Sequence, residues 1–382
     1  MFDDFFEEEE FEDAGDSDSA TVAAPSLPPA NANPDLLAHT EHEKILLKLF
    51  NEKKLPHALI FAGPSGIGKT TAAFRLARFL LKHGKDDNQD SLFGDVAPAP
   101  TSMDVPQSDP VFSLVASGGH PDLRFFERPM NSTGTAKKTV LDVDTVRKIA
   151  PFLRMSSSEG GWRVVIVDEA DMMNRQAQNA ILKILEEPPP RAMLILICNR
   201  LGAMIPTIRS RCRTFHFAPL DAATLENLLK RAAPDITTGE MKLLTALSDG
   251  SMGKALTLHE EKGGNTLATL LEFLSGFPDW DWAKLHPYAD NLSRTEGAYE
   301  SFTHIMEWVV QNLTRAKAIG HAALPEILAG NELQALENQY SLGQWIEICE
   351  KLGAHFTAIN NSNLDKRQGV IGAFGILGGQ GA

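Results

Sequence analysis

Short, wholly apolar runs alternate along the first half of the chain with stretches in which apolar residues recur every three or four positions. Ala58-Leu59-Ile60-Phe61-Ala62, Arg163-Val164-Val165-Ile166-Val167 and residues 193–197 are of strand length and lack polar alternation, the pattern of strands covered on both faces. Between them the period is helical. Ile45, Leu46, Leu49 and Phe50 share one face of a segment starting at Thr40, and Leu76, Ala77, Phe79 and Leu80 mark a second helix that stops near Gly84. Residues 85–118, polar and rich in proline, predict an insertion or long loop, and 140–153 predict a short strand followed by a helix. Residues 176–187 predict one amphipathic helix, because Ala177, Ala180, Ile181, Ile184 and Leu185 fall on a single stripe and Pro188-Pro189-Pro190 ends it. Strands alternating with helices predict a parallel α/β sheet with helices on both faces. Beyond Leu220 no strand pattern survives; the remainder predicts helices with Gly/Pro breaks near 263 and 276–278, and no internal repeat is visible.

A chain of 382 residues is too long for one ordinary core and predicts two or three domains. The net charge of −14 is unevenly placed: residues 1–18 hold ten Asp/Glu and no Lys/Arg, so the remaining chain is close to balance. That balance neither demands nor forbids contact with nucleic acid. Residues 1–35, acidic and then rich in Ala, Ser, Pro and Asn, carry too little apolar surface to order by themselves, although Phe2, Phe5, Phe6 and Phe11 among the acids could form a short docking motif. No run approaches the roughly 18 apolar residues of a membrane span, and the N-terminus lacks the pattern of a signal peptide, so a cytoplasmic protein is expected. Only Cys198, Cys212 and Cys349 are present, with no C-x-x-C pair, which excludes a four-cysteine zinc module and a disulfide framework.

Gly63-Pro64-Ser65-Gly66-Ile67-Gly68-Lys69-Thr70 is a complete phosphate-binding loop placed between a strand and a helix. Glycines there let backbone N–H groups curl around phosphate oxygens at a helix N-terminus; Lys69 would bridge the β- and γ-phosphates of ATP, and the Thr70 hydroxyl would hold Mg²⁺. The strand 163–167 ends in Asp168-Glu169. Beside a phosphate loop this is the acidic pair in which Asp168 holds the metal's water shell and Glu169 polarises an attacking water. The tetrad Asp168-Glu169-Ala170-Asp171 also spells a helicase motif, but the later motifs of a superfamily-2 helicase are missing.

The segment from Asn179 to Pro189 (Asn-Ala-Ile-Leu-Lys-Ile-Leu-Glu-Glu-Pro-Pro) resembles the helix that follows this acidic pair in bacterial clamp-loader subunits of the AAA+ class. Ser210-Arg211-Cys212 is similar to the motif that carries an arginine finger in that family. Leu55-Pro56-His57-Ala58-Leu59, Gly119-His120-Pro121-Asp122-Leu123 and Asn363-Leu364-Asp365 resemble its delta-prime branch, so the likeness spans residues 55 to about 370. The resemblance implies a RecA-like nucleotide-binding domain over 36–217, a helical lid over 218–262 and an all-α collar over 263–382 that holds an assembly together. It implies ATP and Mg²⁺ as ligands, without zinc. As partners it implies the gamma/tau and delta subunits, a sliding clamp, and primed DNA reached through the assembled complex. It also assigns Arg211 to a neighbour's γ-phosphate, Asn199 to a sensor position at the end of the third strand, and Arg147 to DNA phosphates. Gly253 stands where gamma/tau subunits carry a lid arginine, with Lys254 next to it. That departure implies ATP binding with poor turnover by the chain alone. A gamma/tau-type motor and a structural subunit with a vestigial loop are the alternatives.

Overall fold

The computed structural model describes residues 27–84, 99–129, 140–158, 160–330, 333–362 and 364–379. Most of the acidic tail, part of the expected 85–118 insertion and Asn363 therefore lie outside the described residues. The chain divides into two compact units, one of Pro25–Leu225 with Gly250–Met252, the other mainly of Glu226–Asp249 and Gly253–Ala382.

In the first unit the order is α1 (Thr40–Asn51), β1 (Ala58–Ala62), α2 (Lys69–His83), α3 (Pro110–Ala116), β2 (Leu123–Phe126), α4 (Val143–Arg147), α5 (Ile149–Arg154), β3 (Arg163–Val167), α6 (Arg175–Ala180), α7 (Leu182–Glu186), β4 (Ala192–Cys198), α8 (Pro206–Arg209) and β5 (Arg213–His216). All pairings are parallel and the strand order is β2-β3-β4-β1-β5. The three inner strands are buried at every position, as their unbroken apolar runs require. Their side chains alternate between two cores. Leu59, Phe61, Val164, Ile166, Met193, Ile195 and Ile197 join the α1 and α2 side, whereas Ile60, Val165, Val167, Leu194, Leu196 and Cys198 meet the elements from α4 to α8.

Four details differ from the sequence pattern. Strands β2 and β5 are additional; at four residues each, with exposed positions, they are edge strands that lack an apolar run. The stretch at 140–141 makes only a single bridge, Leu141 to Met173, before Asp142 caps α4 through the Thr145 N–H. Residues 176–187 are two short helices, broken at Ile181, where the Ile184 N–H turns back three residues to the Ile181 carbonyl. Finally, residues 31–34 are held by α2 rather than belonging to a coreless tail. Arg78 donates to the carbonyls of Asn31 (2.9 Å) and Asn33 (2.7 Å), Arg75 donates to that of Pro34 (2.7 Å), and Ala30 and Leu36 pack on the core. Composition could not foresee this, because the partners are main-chain oxygens.

Helix α9 (Ala222–Ala232) runs from the first unit into the second, which continues with α10 (Thr238–Leu247), α11 (Met252–Glu260), α12 (Gly263–Ser275), α13 (Trp282–Leu292), α14 (Glu296–Ile319), α15 (Gln334–Gln339), α16 (Leu342–Ser362) and α17 (Lys366–Leu377). Tyr299, Phe302 and Phe374 are fully buried at its centre. Close approach there is tight: a Cβ on Gly369 would lie 2.5 Å from the Tyr299 hydroxyl. Among the described residues no helix is long and apolar enough to cross a membrane.

Candidate nucleotide-binding site

The phosphate loop joins β1 to α2, so its N–H groups sit at a helix N-terminus beside the innermost part of the sheet. Gly66 (φ 74°) and Gly68 (φ 97°) occupy the left-handed backbone region that the tight curl needs. Gly63 is required for a different reason: a Cβ there would stand 2.3 Å from the Phe217 carbonyl oxygen. Pro64 and Ser65 form the exposed lip, and Ser65 accepts a 2.9 Å hydrogen bond from the Ser251 hydroxyl. The Ile67 carbonyl bonds His39 Nε2 at 2.9 Å. The His39 imidazole is held below the ordinary histidine range, chiefly by burial and partly by the nearby His42 and Lys69 charges.

Lys69 is 4% exposed, and its ammonium spends its donors within the chain: the carbonyls of Gly63 (2.8 Å) and Pro64, and Asn199 Oδ1 (2.9 Å). Burial lowers its pKa, opposed by the negative ends of Asp168, Cys198 and Asp171. The Thr70 hydroxyl donates to Asp168 Oδ2 at 2.9 Å. Burial raises the Asp168 pKa, against the hydrogen bonds from Thr70 and the Glu169 N–H. The structure thus brings Lys69, Thr70, Asp168 and Asn199 together on the curl of Gly63, Pro64, Ser65, Gly66, Ile67 and Gly68.

Glu169 sits at φ 50°, an unusual conformation for a side-chain-bearing residue, and is held by a fork–fork pair. Arg128 Nε donates to Oε2 and Nη2 to Oε1, each at 2.7 Å, with both side chains mostly buried. This pair raises the Arg128 pKa. Sequence reading missed Arg128, because it lies just past the edge strand β2 with no motif around it. Asp171, the last residue of the helicase-like tetrad, is buried below this same turn.

Two sequence-predicted residues lie outside this group. Arg211 follows α8 and pairs with Glu186 Oε1 at 2.9 Å while donating to the Thr207 carbonyl. Arg147 ends α4, exposed, and pairs with Asp144 at 3.1 Å. Gly253 and Lys254 open α11, where the Lys254 ammonium lies 3.6 Å from Asp249.

A parallel sheet with a phosphate loop after inner strand β1, an acidic pair after β3 with β4 inserted between the two, and a following all-helical unit defines a P-loop module of the AAA+ class. The family model described as "DNA polymerase III, delta subunit" matches residues 38–221. The chain is 30% identical over 313 residues to DNA polymerase III subunit delta' of Escherichia coli (strain K12), covering 81% of this chain and 86% of that protein. It is 35% identical over 205 residues to the Pseudomonas aeruginosa subunit of the same name, covering 53% and 56%. Human replication factor C subunit 5 is 31% identical over 232 residues, covering 59% and 55%, so the match spans about half the length of these last two relatives. The chain belongs to the DNA polymerase III delta-prime family.

Proposed function

We propose that this chain is the delta-prime-type subunit of a replicative clamp loader, binding ATP at its own phosphate loop and acting on a neighbour's ATP through Arg211. Working with gamma/tau and delta subunits, it would help open a sliding clamp and place it on primed DNA, with residues 218–262 as lid and 263–382 as collar. The observation that carries the reading is the preassembled set of Lys69, Asn199, Thr70 and Asp168 on one glycine-rich curl. Thr70 and Asp168 supply two hard oxygens 2.9 Å apart at the helix N-terminus, a donor set that suits Mg²⁺. Bound there with the nucleotide, Mg²⁺ would neutralise charge on the β- and γ-phosphates. Zinc has no place in the proposal: burial pushes the Cys198 and Cys212 thiols up to about 11 and about 12, away from the thiolate that zinc needs.

Turnover by the isolated chain is proposed to be slow for two reasons. Gly253 supplies no lid arginine, and Glu169 is engaged by Arg128 instead of facing an attacking water. Arg211 lies on the surface, and its fixed positive charge and planar fork suit a phosphate presented by another subunit. Arg147 is proposed to contact DNA phosphate without reading sequence.

The test pairs two measurements on Arg211→Ala in the reconstituted loader. Mg-ATP binding by the isolated variant is expected to match the wild type, while DNA- and clamp-stimulated ATPase of the assembly falls. Loss of the variant's own ATP binding with full loader activity refutes the trans assignment. Fast steady-state turnover by the wild-type chain alone points instead to a gamma/tau-type motor.

A further inference from the structure

Strand β4 ends at Cys198, and the peptide joining Cys198 to Asn199 is gripped from both sides. Its carbonyl accepts a 3.2 Å hydrogen bond from the N–H of Gly63, the first residue of the phosphate loop. Its N–H donates to Asp171 Oδ1 at 3.0 Å, and the next N–H, of Arg200, donates to Asp171 Oδ2 at 3.2 Å. Both N–H groups lie past the strand, where no ladder partner serves them. Asp171 reaches them from the 3₁₀ turn Ala170–Met172 directly after Glu169, and its side chain is only 1% exposed. A buried carboxylate is costly unless donors surround it. Here the donors are the two amides, with the Arg200 guanidinium at 3.6 Å. Two N–H groups on two oxygens require a carboxylate; a carboxamide of the same size offers one acceptor and sets an NH₂ against the second amide.

We infer that Asp171 is a positioning residue, which fixes the 199–200 turn so that the Asn199 carboxamide meets the Lys69 ammonium. The turn leaves Asn199 Oδ1 2.9 Å from Lys69 Nζ, so the chain of contacts runs from the acidic turn after β3, through one peptide at the end of β4, to the lysine of the phosphate loop. The inference rests on the proposed nucleotide site for its functional consequence but not for its geometry. On the sensor role that the resemblance implies for Asn199, this carboxamide would serve the γ-phosphate, the group that ADP lacks. Losing its placement therefore weakens ATP and spares ADP, whereas general loosening of the fold weakens both.

The experiment uses the full chain as Asp171→Asn, Asn199→Ala and the double variant, with Mg-ATP and Mg-ADP affinities measured by calorimetric titration. Expected is an ATP affinity about fivefold to tenfold weaker for each single variant, with ADP within about twofold, and a double variant no worse than either single. Equal losses for ATP and ADP, no loss for Asp171→Asn, or additive losses overturn the inference. Amide hydrogen exchange on the wild type provides a reading independent of nucleotide and of any variant's folding. The Asn199 and Arg200 N–H groups should be protected although they lie beyond β4; exchange at open-turn rates overturns the inference. A wild type that binds no nucleotide yet protects both amides removes the proposed nucleotide site and leaves the positioning role standing.

Discussion

Replacing Arg128 by alanine should speed hydrolysis rather than slow it. In the structure the Glu169 carboxylate is occupied by two charge-assisted hydrogen bonds of 2.7 Å, both on Arg128 and both largely shielded from water. A bidentate pair in that setting is worth about 2 kcal/mol net, once the water each partner gives up is counted. At that value Glu169 is free of Arg128 only about one-thirtieth of the time. That fraction sets an upper bound of about 30-fold on the gain from removing Arg128. The assay is single-turnover hydrolysis of saturating Mg-ATP by the isolated chain, with affinity measured in parallel and Arg128→Gln as a variant that keeps more of the volume. Rates unchanged or lowered at normal affinity would show that the pair does not restrain Glu169.

In the second unit, the Tyr299 hydroxyl is buried with no hydrogen-bond partner among the described residues, so Tyr299→Phe should raise stability by about 1–2 kcal/mol, and Gly369→Ala should lower it because the new methyl meets that hydroxyl at 2.5 Å; urea denaturation reads both, and a destabilised Tyr299→Phe contradicts the assignment. Deleting residues 1–26 should leave the melting temperature unchanged. Deleting 1–35 should lower stability by about 2–4 kcal/mol, since Arg78, whose pKa burial and the Arg75 charge push down to about 10, loses its carbonyl partners; equal melting temperatures for the two deletions refute this. Burial holds His39 and His304 below the ordinary histidine value of 6.5, so each is neutral in the fold and gains a proton more readily when unfolded. Stability should be flat above that pH and fall on acidification below it; a urea midpoint higher at pH 5.5 than at pH 7.5 counts against these two histidines.

The inner sheet and the phosphate loop were legible because their signals are contiguous. Strands covered on both faces are written as unbroken apolar runs, and a curl that needs glycine at fixed spacing is written as glycine at fixed spacing. Edge strands β2 and β5 were not legible, since half of their surface faces water and their pairing depends on neighbours distant in the chain. The same distinction divides the site. Lys69, Thr70 and Asp168 stand within motifs, but Arg128 acts across 41 positions on Glu169, and nothing local marks it. Asp171 was visible as a letter but not as an acceptor, because its donors are backbone amides of residues 199 and 200, which carry no side-chain signature. Arg75 and Arg78 on α2 were hidden likewise, their partners being main-chain carbonyls of 31–34.

The way Lys69 is bonded within its own loop bears on how a binding-dead control should be built. Its ammonium is the shared donor for the Gly63 and Pro64 carbonyls and for Asn199, so it staples the loop's own backbone to the end of β4 in addition to its proposed role toward phosphate. Replacing it by methionine or alanine leaves inward-facing oxygens without their donor and frees the Asn199 carboxamide, so such a variant loses ligand and loop shape together. Thr70→Val is the cleaner control, because it removes one hydroxyl from Asp168 and keeps the staple in place. A lysine-substituted chain therefore reports on the shape of the loop as much as on its hold on phosphate.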